Sequence, residues 1–213
     1  MSRLSIRMLF FVLLMYTFSN VQAAISEEII TITNADGNTS SEVLADRNVI
    51  VYVEDTEEGW IEAAASYLGL DYDGYSASEY VTEENSKYYR TVDGVLYSKD
   101  MRVLYLYPAM KEGWYFQVPA TVEIIEECAF QGSYYLRELV IPSSVIQMDG
   151  DDTFYGSAVE TIHFPKSIVS FNANMFDYVP QLEKIILPAE SVVASELYAQ
   201  REYIDLTSKL YFY

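Results

Sequence analysis

The chain has 213 residues, of which 51% are apolar, and 20 of them are tyrosine. That is enough apolar material for a real core and excludes disorder throughout. Its 32 acidic residues against 13 basic ones give a formal charge of −19, which excludes nucleic acid and anionic membrane surfaces as partners, because binding to phosphates rests on basic clusters.

Residues 1–23 read as a secretory signal. Arg3 and Arg7 form a short basic start, Met8 to Phe18 is an apolar run broken only by Thr17, and Val21-Gln22-Ala23 is a small-residue cleavage pattern. The expected cut follows Ala23. The apolar run is shorter than the ~20 residues of a membrane span, so no span is expected after signal removal. The single cysteine, Cys128, provides no internal disulfide framework. With His163 the only histidine and no Cys-x-x-Cys, no metal site is expected.

Residues 24–87 form an acidic region with no repeat. Ile29 to Thr33 alternates as a strand, Asn34-Ala35-Asp36-Gly37-Asn38 is a turn, and Asn48 to Val53 is a second strand rich in Val, Ile and Tyr. Glu57 to Leu68 has helical spacing, with Trp60, Ile61, Ala64, Ala65 and Leu68 near one face and Gly69 as its stop. A stacked repeat needs its open end covered, so this region is read as a small α/β cap. Residues 88–108 then read as a hairpin of two strands. Tyr89 to Tyr97 leads to a turn at Ser98-Lys99-Asp100, and Val103 to Tyr107 is stopped by Pro108.

The rest of the chain is periodic. Pro119, Pro142, Pro165 and Pro188 are evenly spaced by 23, a period in the range of leucine-rich repeats. The residues around them keep step: Leu136, Val159 and Leu182; Leu139, Ile162 and Ile185; Val118, Ile141, Phe164 and Leu187; Val122, Val145 and Ile168. The class this predicts is mainly β: a repeat solenoid with 23-residue repeats and short parallel strands, regular over about 113–190, with a C-terminal cap at 191–213. Each strand ends at its proline, which cannot extend the ladder. The return path carries Ala129-Phe130, Thr153-Phe154 and Met175-Phe176, one phenylalanine per coil, read as a buried aromatic spine. The second coil is one residue longer between proline and phenylalanine, and Asp149-Gly150-Asp151-Asp152 absorbs the insertion.

These residues resemble the BspA-type leucine-rich repeats, a family of bacterial and protist surface proteins. The pattern is carried by Leu136-Arg137-Glu138-Leu139-Val140-Ile141-Pro142-Ser143-Ser144-Val145, again by Val159 to Ile168 and Leu182 to Pro188, and by the opening Asp93-Gly94-Val95-Leu96-Tyr97. Gly113 stands where the first leucine of its coil would be, and Thr153 and Met175 replace the alanine of the Ala-Phe pair. The resemblance implies a right-handed coil. It also implies a secreted or surface-exposed protein, not an enzyme, that binds a protein ligand on a host or neighbouring cell or in the matrix. Association of copies through the repeat ends is one alternative, and an enzyme with its site in the unmatched N-terminal region is a second.

Strand residues that point outward fall in three columns: Gln117, Val140, His163 and Ile186; Tyr115, Glu138, Thr161 and Lys184; Trp114, Arg137, Glu160 and Glu183. Their mixture of aromatic, aliphatic and charged side chains suits a protein partner, and this face is the expected ligand-binding surface. Catalysis would need a nucleophile oriented by a base. Ser143, Ser144, Ser157 and Ser167 lie near His163 in sequence, but repeat turns use serine structurally. There is neither a Gly-x-Ser-x-Gly nor a phosphate loop, so neither an activity nor a cofactor is expected. Asp149-Gly150-Asp151-Asp152 is read as a turn rather than a calcium loop, and Asn34 to Asn38 departs from the EF-hand pattern.

Overall fold

The computed structural model describes residues 21–25, 29–33, 39–43, 49–53, 55–57, 77–201 and 206–213. The N-terminal part holds strands β1 (Val21–Ile25), β2 (Ile29–Thr33), β3 (Thr39–Val43), β4 (Val49–Val53) and β5 (Ala77–Thr82). β2 pairs with β3, and β1, β4 and β5 form a second sheet with β4 in the middle. The strands expected at residues 29–33 and 48–53 are present. β1 lies across the expected cleavage point after Ala23, so that cut would leave only Ala24 and Ile25 of it. The rest of the signal, the turn at 34–38 and nearly all of the helix expected at 57–68 lie outside the described residues.

Residues 88–108 form three strands, not the two expected. They are β6 (Tyr89–Val92), β7 (Val95–Ser98) and β8 (Val103–Leu106), each antiparallel to the next. The first expected strand is split by Asp93 and Gly94, with φ of 51° and 73°. Two consecutive positive-φ residues make the tight turn that suits the twist of a two-residue hairpin. At the second turn the Ser98 hydroxyl accepts from the Arg102 and Val103 amides, and Asp100 accepts from Ser98 and Arg102.

Beyond Pro108 the chain alternates between two sheets. One contains β9 (Tyr115–Gln117), β11 (Glu138–Val140), β13 (Thr161–His163) and β15 (Lys184–Leu187), all parallel, with β16 (Leu210–Phe212) added at the end. The other extends the β6–β8 meander with β10 (Ile124–Ile125), β12 (Gln147–Met148) and β14 (Ser170–Phe171), again parallel. This second sheet is absent from the sequence reading, although Ile125, Met148 and Phe171 are themselves spaced by 23.

Between the two sheets lies one continuous core. Leu136, Leu139, Val145, Val159, Ile162 and Ile185 have no exposed surface, because in a strand every second side chain points to the same side. At roughly 1.5–3 kcal/mol for each fully buried large side chain, these columns are the main stabilising term. Phe130, Phe154 and Phe176 form the expected spine, with ring centroids 5.7 and 5.6 Å apart and planes within 22°. The Phe130 amide donates to the Thr153 carbonyl and the Phe154 amide to Met175. The step from Phe130 to Phe154 is thus one longer than the period and the step on to Phe176 one shorter, which places the inserted residue before Thr153. Helix α1 (Val192–Ala199), with Ser191 accepting from the Ala194 amide as its N-cap, adds Val193, Ala194 and Leu197 to the core.

The N-terminal strands contact this assembly through Val51, Val53, Ala77 and Tyr80, which cluster with Tyr89, Leu96 and Leu106. Asp55 accepts from the Ser86 hydroxyl at 2.6 Å and from the Lys87 and Tyr88 amides. These bonds, the Ser86 bond foremost, hold its carboxyl below the usual range.

Candidate functional site

The parallel sheet β9-β11-β13-β15-β16 carries the three expected columns. Glu138 is paired with Tyr115 and Thr161, and Thr161 with Lys184. Val140 is paired with Gln117 and His163, and His163 with Ile186. The Arg137 amide donates to the Trp114 carbonyl, Glu160 to Arg137, and Glu183 to Glu160. Stacked strands bring column neighbours to within ~4.8 Å. None of the twelve side chains is buried, whereas Phe116, Leu139, Ile162 and Ile185 between them face the core.

Contacts within and between columns tie down most of the polar groups. His163 Nε2 lies 3.0 Å from Glu138 Oε1, each side chain about one third exposed. Arg137 Nε lies 3.2 Å from Glu160 Oε1, and its Nη1 donates to the carbonyls of Tyr134, Leu136 and Ala158. The Tyr115 hydroxyl donates to Gln117 Oε1 at 3.3 Å. The face holds three carboxylates, two permanent cations and one imidazole, so it is close to neutral in a strongly acidic chain. Val140 and Ile186 sit between paired polar groups, ready to meet an apolar surface at little desolvation cost.

The sequence reading misses one member of the face. Tyr211 pairs with Ile186 and lengthens the first column to five, and its ring lies 6.0 Å from the Lys184 ammonium. The period would put this member at Lys209, and no proline follows Tyr211, so the repeat pattern carries no signal for it. The serines near His163 in sequence do not reach it. The Ser167 hydroxyl donates to the Val145 carbonyl, and the Ser144 and Ser157 hydroxyls are buried without a partner.

On the opposite side of the core, Glu127, Asp151 and Asp152 lie near Cys128, and Glu127 and Asp149 near Glu126. Burial first, then Glu127 and the two aspartates, pushes the half-buried Cys128 thiol up to about 11, so it is protonated at neutral pH and a poor nucleophile. Among the described residues no group of three His, Cys, Asp or Glu side chains is placed to hold a metal ion. Burial, with Glu127 and Asp149 adding to it, raises Glu126. Asp149 is lowered, first by its 2.5 Å bond from Ser170.

The two signs oppose each other. A raised carboxyl favours the folded state below its unfolded pKa, and that contribution is lost as pH rises through the folded value. A lowered one contributes above its unfolded value and loses that contribution as pH falls. Glu126→Gln is therefore expected to raise the melting temperature at pH 7, with the gain vanishing as pH falls below Glu126's unfolded pKa, the ordinary glutamate value. Melts of both proteins across pH 3–7 check this, and an unchanged or lower melting temperature at pH 7 would contradict it.

Two sheets of parallel repeat strands around buried columns define a leucine-rich-repeat protein. Residues 110–206 match the family model described as the BspA type Leucine rich repeat region, in 6 copies. The structure is similar to the crystal structure of a leucine-rich repeat protein from Eubacterium ventriosum, with a TM-score of 0.52 and 25% sequence identity over 58% of this chain and 33% of that one. Two other solved structures match with lower TM-scores. The pneumococcal vaccine antigen PcpA does so at 0.43, with 18% identity over 52% of this chain and 33% of that one. A leucine rich cell surface protein from Faecalibacterium prausnitzii does so at 0.41, with 25% identity over 54% and 37%. The chain spans about a third of the length of each of these structures. No curated protein matches it.

Proposed function

We propose that this is a secreted or surface-exposed recognition protein whose parallel sheet face binds a protein ligand, without catalysis. The observation that carries this reading is the face itself: a nearly neutral array with aliphatic and aromatic members, on a chain of charge −19. Exposed apolar groups with self-paired polar neighbours are what a protein interface core needs. The signal-like N-terminus supports secretion, and the BspA-type repeats support a binding role, since stacked repeats present extended surface. In this reading the repeats wind as a right-handed solenoid of 23-residue coils, and residues 24–87 cap its first turn.

The test is capture of cell-surface and matrix proteins by the purified chain beside Val140→Asp/His163→Asp/Ile186→Asp. A partner held by the wild type and lost by the variant is the expected result. Equal capture by both excludes this face. The cap has its own test. Removing residues 24–87 uncovers Tyr89, Leu96 and Leu106, each at most 4% exposed, so fragment 88–213 is expected to aggregate or to melt without cooperativity. A monomeric fragment with a sharp melt would refute the capping role.

A second reading rests on the sheet edges. β9 and β16 are the two ends of one parallel sheet, and open strand edges invite pairing with another chain. Tyr115 on β9, and Tyr211 and Phe212 on β16, are each 44–49% exposed. Head-to-tail association of copies would cover both ends, and it predicts a molar mass that rises with concentration.

A further inference from the structure

β5 and β6 are joined at two points. The Tyr80 amide donates to the Gly94 carbonyl, and the Thr82 and Thr91 hydroxyls lie 3.4 Å apart. Beside the second contact is a cleft of about 400 Å³, within the ~300–1,000 Å³ of small-molecule sites. Its wall includes Thr82, Glu83 and Glu84 on one limb, Arg90 and Thr91 on the other, and Lys99 from the turn after β7. The frame is held in place. Asp55 accepts from the Ser86 hydroxyl and from the Lys87 and Tyr88 amides, and the Lys99 amide donates to the Tyr88 carbonyl at 2.7 Å.

Charges of both signs share this cleft without closing on one another. The side chains of Glu83, Glu84, Arg90 and Lys99 are exposed, and no hydrogen bond or ion pair joins them to each other or to any other described residue. Arg90 is the only arginine among the described residues in that state. Arg102 meets Glu123, Arg137 meets Glu160, and Arg201 donates to the Tyr198 carbonyl. The neighbouring charges are engaged outside the cleft. Asp55 is held by the Ser86 loop, where the Lys87 charge also acts, and Asp100, next to Lys99 in the chain, accepts from the Ser98 hydroxyl and the Arg102 amide. Opposite charges kept apart across one cleft leave room for a ligand that carries both. A guanidinium takes a carboxylate through two parallel bonds, threonine hydroxyls donate or accept beside it, and glutamates take an ammonium.

We propose that this cleft binds a short zwitterionic peptide, with its terminal carboxylate on Arg90 and Lys99 and its terminal ammonium on Glu83 and Glu84. A free amino acid carries the same two groups on one carbon; a short peptide carries them apart, as the cleft does. The site is separate from the sheet face, so its failure would leave recognition through that face untouched.

The probe is triglycine, titrated into the isotope-labelled purified chain and followed by the NMR shifts of the Thr82, Thr91 and Lys99 amides. Saturable shifts are expected at these positions. N-acetyltriglycine, which lacks the ammonium, and triglycine amide, which lacks the carboxylate, are each expected to bind more weakly by about fivefold or more. Arg90→Gln is expected to weaken triglycine by a similar factor and to leave triglycine amide unchanged. Glu83→Gln/Glu84→Gln is expected to weaken triglycine and to leave N-acetyltriglycine unchanged. These are exposed positions, so the variants should melt with the wild type. Lys99→Gln decides the carboxylate arm should Arg90→Gln melt early, since it must then weaken triglycine on its own. No saturable shift in the wild type defeats the proposal. Tighter binding of triglycine amide than of triglycine would mean attraction to the net negative charge alone and defeats it too. Glycine binding as tightly as triglycine would overturn the peptide assignment.

Discussion

Phe154→Ala is expected to cost about 3–5 kcal/mol, the range for a buried phenylalanine whose cavity cannot collapse. Phe154 is the middle ring of the spine, stacked on Phe130 on one side and Phe176 on the other, and it has no exposed surface. Collapse is restricted because each neighbour is held by its own coil. The amides of Phe130 and Phe154 donate to the next coil, and the strands across the core are fixed by their ladders. Against a typical total stability of about 5–15 kcal/mol, this is a large fraction. At ~2–4 °C per kcal/mol for a chain of this size, the melting temperature should fall by about 10 °C. Val169→Ala, which trims a side chain that is 71% exposed, should change stability by less than about 0.5 kcal/mol. Thermal melts of the two variants side by side are the measurement. A cost near 1 kcal/mol for Phe154→Ala would mean that the three rings do not act as one core.

The strand columns were legible because each rests on identical steps of chain, and the spine because its steps depart from that period by only one residue. An inward residue such as Leu139 recurs as Ile162 and Ile185, and the ladder pairs those same residues. Elements shorter than one full alternation leave no such trace. β10, β12 and β14 have two residues each, too few for a period of two to show, so a whole sheet went unread although its apolar column keeps the spacing. Tyr211 joins the candidate face by a longer path through α1, where the period no longer applies. The split between β6 and β7 turns on Asp93 taking positive φ, which a Val-Asp-Gly-Val sequence permits and hairpin chemistry favours. Side-chain pairing was out of reach: column membership placed Glu138 and His163 on adjacent strands, but whether they meet depends on rotamers that no spacing encodes.

The inserted residue in the second coil makes the sharpest claim about backbone packing. A Cβ added at Gly150 would lie 2.5 Å from Glu127 Cα and 2.6 Å from Glu127 N. These are backbone atoms of the preceding coil, so relief requires moving one coil against the next. That strand of contacts is already anchored, since the Cys128 amide donates to the Asp151 carbonyl and Asn172 Nδ2 donates to Asp151 Oδ1 at 2.6 Å. Gly150→Ala should therefore cost at least the ~3 kcal/mol at the upper end of overpacking. Gly156 supplies the contrast. Its φ of +66° is in the left-handed region, but nothing lies within 4 Å of a Cβ there, so Gly156→Ala should cost only the ~1–2 kcal/mol of an L-residue in that conformation. If close approach governs the insertion, urea unfolding will rank Gly150→Ala well below Gly156→Ala. The reverse order would mean that the second coil accommodates its extra residue by loosening, and that the Asp149–Asp152 turn is not held against Glu127 in solution.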